Sequence, residues 1–157
     1  MARSNRQLTQ FAVRKINEYL RSGPTGFTSE VQGNTEVQFN DCETPDCIIR
    51  TLRVKLFNES ILTLILSPAN PRIPSGIVLQ GGNFYDSKGR PSRTTRERLN
   101  GILDSLGELK FIPQGIRAFI DKETGECRVG AGDASRPLSA DSNTVVILSN
   151  PNALVFS

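Results

Sequence analysis

Residues 48 to 66 constrain the fold of this chain more than any other stretch. Leu52, Val54 and Leu56 alternate with Arg53 and Lys55, the period of a strand with one buried and one wet face. The pattern covers Ile48–Phe57, with Asn58-Glu59 as the expected tight turn into Ser60–Leu66. That second arm is apolar on both faces, so it belongs in the interior of an antiparallel sheet.

Helical patterns flank this hairpin. Ser4 and Gln7 have the spacing of a capping box, and Leu8, Phe11, Ala12, Ile16, Tyr19 and Leu20 follow on one face. With Gly23 and Pro24 as stop signals, a helix is expected over 5–22, its Arg14, Lys15, Glu18 and Arg21 face solvated. A second helix, about 95–106, carries the stripe Leu99, Ile102, Leu103 and Leu106. Thr94 with Glu97 reads as its capping box and Gly107 as its C-cap. Gly101 inside it costs about 1 kcal/mol relative to Ala, so a close approach to the sheet is expected there.

The remaining segments read as short strands and loops. Thr35–Phe39 is a strand reached through a Gly/Thr/Ser-containing connection, and Asn40–Cys47 an acidic loop. The three prolines of Ser67–Ser75 make a loop before a strand at Ile77–Gln80 that Gly81-Gly82 loosens. Asn83–Ser92 is a polar loop. Ile116–Asp121 and Glu126–Val129 flank a hairpin tip with Gly125 in the left-handed position. Gly130–Asp141 reads as a flexible loop, and Thr144–Leu148 pairs with Ala153–Phe156. Regular strand–helix alternation is missing. The expectation is one α+β domain over 1–157, a mostly antiparallel sheet with two flanking helices.

Composition removes several kinds of chemistry. The chain of 157 residues has no histidine, so no Ser-His-Asp or Cys-His nucleophile and no imidazole ligand can be built. Cys42, Cys47 and Cys127 with Asp41, Glu43 and Asp46 fall short of a zinc ligand set, and no metal or other cofactor is expected. Pro45-Asp46 begins a metal-nuclease pattern, but Arg53-Val54-Lys55 puts arginine where a second metal-binding acid belongs. Gly130–Ser135 is glycine-rich, yet Pro137 prevents the helix that a phosphate loop needs. No apolar run reaches the roughly 18 residues of a membrane span. An odd cysteine count and an N-terminus without a signal-peptide core point to reduced thiols and a cytoplasmic setting.

Net charge is only +3, but it is unevenly placed. The main basic block leads into the second helix, where free N–H groups and a partial positive charge favour anions. Lys88, Arg90, Arg93 and Arg96, with the hydroxyls of Ser92 and Thr94, form the candidate anion site, and Phe84 and Tyr85 the candidate stacking surfaces. The expected function is a non-enzymatic binding or accessory module engaging an anionic partner: nucleic acid, a nucleotide or an acidic protein surface. A structural subunit forming homo-oligomers through sheet edges is the second reading. A carboxylate- and metal-dependent enzyme such as a nuclease is the third.

Overall fold

The computed structural model describes residues 4–22, 26–43, 48–66, 74–131, 134–148 and 155–156, with only the backbone for 42, 43, 48, 49, 155 and 156. It is an α+β arrangement of two helices and mostly antiparallel sheet. Helix α1 spans Asn5–Ser22. Its capping box forms as expected: Gln7 N–H donates to Ser4 Oγ (3.1 Å), and Ser4 N–H donates to Gln7 Oε1 (2.9 Å). Gly23, Pro24 and residues 44–47, with Pro45, Asp46 and Cys47, lie outside the described residues.

Strands β1 (Phe27–Gln32), β2 (Thr35–Glu43), β3 (Ile48–Leu56), β4 (Glu59–Leu66) and β5 (Pro74–Gln80) form a continuous antiparallel meander. β1 was expected to be a connection. It pairs in unbroken register with β2 around Gly33-Asn34, where Gly33 takes φ 59° as the first residue of a two-residue turn. β2 also continues through Asn40–Glu43, beyond the predicted strand end. The β3–β4 turn sits at Phe57-Asn58, one residue earlier than predicted. Both residues take positive φ (52° and 64°), because the strands' right-handed twist is matched by a turn with two left-handed positions.

A 3-10 turn at Gly81–Phe84 leads to helix α2, Arg93–Glu108. The chain then builds a separate three-stranded sheet from β6 (Arg117–Ile120), β7 (Cys127–Ala131) and β8 (Ala134–Pro137). β8 falls in the segment expected to be a flexible loop. Gly130 explains the close pairing, since a Cβ there would lie 2.0 Å from the Ala134 carbonyl oxygen. Strand β9 (Asn143–Ile147) returns to pair with β5, and β10 (Val155–Phe156) pairs with β9. The large sheet has the order β1-β2-β3-β4-β5-β9-β10.

The cross-strand pairs Phe39–Leu52, Leu52–Leu64, Leu64–Ile77 and Ile77–Val146 line one face of that sheet. Phe11, Ile16 and Leu20 of α1 and Leu99, Ile102 and Leu106 of α2 share one buried cluster with that face. Ala118, Cys127 and Val129 of the small sheet extend the same cluster. Phe27 and Val31 lie on the opposite face, 63% and 64% exposed. Lys15 is a correction to the solvated face of α1. Its side chain keeps 14% exposure and its ammonium is 2.7 Å from Glu30 of β1 and 3.1 Å from Glu18.

Candidate functional site: the lead-in to the second helix

The segment before α2 is a closed, hydrogen-bonded loop. Tyr85 and Pro91 form an antiparallel bridge, Asp86 N–H donates to the Arg90 carbonyl (2.7 Å), and Ser92 N–H donates to the Phe84 carbonyl (2.7 Å). Asp86 organises the tip: its Oδ1 accepts the N–H groups of Lys88 and Arg90, each at 2.9 Å. Gly89 completes the reversal with φ 77°. The Arg90 N–H, then that of Lys88, holds the Asp86 carboxyl below its ordinary range, helped by the Arg90 guanidinium 3.4 Å away.

Ser92 caps α2, not Thr94. Its Oγ accepts the Thr95 N–H (3.3 Å) and donates to Thr95 Oγ1 (3.0 Å), so its bonding is used within the protein. Thr94 lies exposed in the first turn. The helix also runs past Gly107, which is buried against Pro113 and Gln114, and the reversal falls at Lys110 with φ 64°. A residue at position 107 needs to be small because a Cβ there lies 3.3 Å from the Gln114 backbone.

The four predicted cations occupy unequal settings. Lys88 is exposed at the tip. Arg90 is 69% exposed beside Asp86, and Arg93 is 83% exposed with its Nε 2.8 Å from Glu97 Oε1. Contact with Arg93 is the main influence holding the Glu97 carboxyl below its ordinary range. Arg96 is half-buried, close enough to Cys127 for its charge to act on that thiol. Burial dominates and pushes the Cys127 thiol up to about 11, so it is a neutral thiol near pH 7 and a poor nucleophile.

The predicted stacking pair does not form a platform. Phe84 is fully buried in the core and presents no face to a base. Tyr85 is half-buried, and its hydroxyl accepts the Cys127 N–H (3.2 Å), which makes it a strut between the loop and β7.

Arg98, two residues beyond Arg96, is a functional-looking cation that is buried: only 1% of it is exposed. Its Nε donates to Asn5 Oδ1 (2.6 Å) and its Nη1 donates to Thr35 Oγ1, joining α2 to α1 and β2. Helical spacing is compatible with this place, since Thr95, Arg98 and Ile102 recur at three and four residues, but it does not say that a neighbouring element covers position 98.

Elsewhere, Gly130 pairs with Ser135 and Ala131 with Ala134 across β7 and β8, and Gly132 and Asp133 lie outside the described residues. Among the described residues no cluster of three or more Cys, Asp or Glu side chains is placed to hold a metal ion. Also among them, no helix is long and apolar enough to cross a membrane. The chain matches no family model, no curated protein and no solved structure.

Proposed function

We propose that this chain is a non-enzymatic binding module that engages an anionic partner through the lead-in to α2. The observation that carries the reading is the braced, exposed loop itself. Lys88, Arg90, Arg93 and Arg96 stand on or beside it against two carboxylates, Asp86 and Glu97, a local net charge of +2. Asp86 spends its carboxylate on backbone N–H groups, so the loop is ordered before any ligand arrives and binding costs less conformational entropy. The α2 terminus adds its partial positive charge in the same place. Ser92 belongs to the cap and Phe84 to the core, so the contact set is narrower than the sequence implies: Lys88, Arg90 and Arg93, with Arg96 at its inner margin. Such a set recognises phosphate or carboxylate by charge and carries little base specificity.

A nucleic-acid backbone is the first partner to test. Polarisation titrations with labelled single-stranded RNA, single-stranded DNA and duplex DNA are expected to give binding that weakens steeply as salt rises. A Lys88→Gln/Arg90→Gln/Arg93→Gln variant is expected to lose roughly tenfold or more in affinity while its circular dichroism and melting stay unchanged. Equal binding by this folded variant, or no binding by the native chain at low salt, removes nucleic acid as the partner.

A further inference from the structure

Among the described residues the large sheet is bounded by β10 (Val155–Phe156) and by β1. β1 offers six residues, Phe-Thr-Ser-Glu-Val-Gln, with no proline or lysine and an unbroken register to β2. An edge of that length with exposed apolar side chains is a docking template unless something covers it.

Hydrogen bonding within the sheet shows which backbone groups are left over. The Asp41 N–H donates to the Gly26 carbonyl (3.2 Å), so Gly26 directs its carbonyl toward β2. Alternation along an antiparallel strand then directs Thr28, Glu30 and Gln32 to β2. The N–H and C=O groups of Phe27, Ser29 and Val31 face away from it, toward an edge with no further strand among the described residues. Those same three residues share one face of the sheet, opposite Asn40, Gln38 and Glu36.

We propose that this edge binds a second copy of the chain, β1 against β1 in antiparallel register, about a two-fold axis at Ser29. A two-fold axis perpendicular to the sheet keeps each face on its own side, so opposed residues must share a face. Centring it on Ser29 places Phe27 opposite Val31 of the second copy, twice, with Ser29 opposite Ser29. All three pairings join residues whose N–H and C=O groups are outward, so the register makes six main-chain hydrogen bonds. It also covers Phe27 and Val31, which are 63% and 64% exposed in the isolated chain. Thr28 meets Glu30 on the other face, where each Glu30 already lies 2.7 Å from its own Lys15 and brings no unpaired charge to the seam. A self-complementary strand is what a two-fold contact between identical chains requires, and this feature selects a second copy over an unrelated strand. The contact is small, so assembly is concentration-dependent.

Sedimentation equilibrium between about 10 µM and about 1 mM is expected to show the mass rising from 17.2 kDa toward twice that value. Ser29→Pro removes an outward N–H that β2 does not use, and Val31→Lys puts a charge opposite Phe27. Each is expected to remain a monomer over the same range with its far-ultraviolet spectrum unchanged. A Ser29→Cys variant, with Cys42 and Cys47 replaced by serine, is expected to form a symmetric disulfide dimer when oxidised by added diamide, because opposed residues in such a pair lie about 5.5 Å apart at Cα. A native chain that stays monomeric overturns the proposal. So does a dimer that survives Val31→Lys and yields no Ser29→Cys cross-link. Pairing of β1 with a different protein instead of itself gives the first of these results.

Discussion

Arg98 is a guanidinium enclosed at the junction of α1, α2 and β2, where it donates to the neutral Asn5 and Thr35. Burial lowers its pKa from the ordinary arginine value, but arginine starts so high that the group stays charged near neutral pH. Replacing it exposes two opposed effects. Arg98→Ala removes the bonds to Asn5 and Thr35 and leaves a cavity, a cost of about 2–4 kcal/mol. Arg98→Met fills most of the volume and also removes the desolvation cost of a buried charge, so it is expected to lose clearly less. Urea unfolding of both variants tests the order, and an Arg98→Ala protein as stable as the native chain would show the junction to be held by apolar packing alone. Charge alone would put an arginine at the surface, but the setting of Arg98 depends on where the neighbouring helix and strand lie.

At the scale of elements, Gly101 shows why a sequence can announce a close contact without naming the neighbour. Glycine inside α2 signalled a tight approach, and the sheet was the expected neighbour. The contact is with α1: a Cβ at position 101 would sit 2.6 Å from Thr9 Cγ2. Gly101→Ala is therefore expected to cost about 1–2 kcal/mol net, the overpacking exceeding the helix-propensity gain of about 1 kcal/mol. Thr9→Ser deletes the obstructing methyl and keeps the hydroxyl that donates to the Asn5 carbonyl (2.8 Å). In that background Gly101→Ala is expected to be neutral or stabilising. A double-mutant cycle by thermal or urea unfolding reads the coupling, and additive effects would contradict the packing described here. The strands that went unread, β1 and β8, share a different cause. Each has burial on neither face strong enough to impose an apolar alternation, as edge strands often do, and each is defined by its partner.

For the whole molecule, both helices and both sheets contribute to one apolar cluster. The small sheet has no separate core, so it is expected to unfold with the large one in a single transition. Far-ultraviolet circular dichroism, tyrosine absorbance and alkylation of Cys127, which is 1% exposed, should give coincident midpoints. Earlier labelling of Cys127 would mean that the small sheet opens independently. The sequence by itself determined α1 with its capping box, the buried stripe of α2, the β3–β4 hairpin and the antiparallel character of the large sheet. These follow from local periodicity and from bonds between residues a few positions apart. The absence of histidine likewise limited the chemistry before any fold was known. Only the tertiary structure decided that Ser92 caps α2, that Phe84 and Arg98 turn inward, that Asp86 braces the basic loop and that β1 is an edge strand of the described sheet. Each of those depends on partners distant in sequence or on which face a neighbouring element covers, and a local pattern contains no record of either.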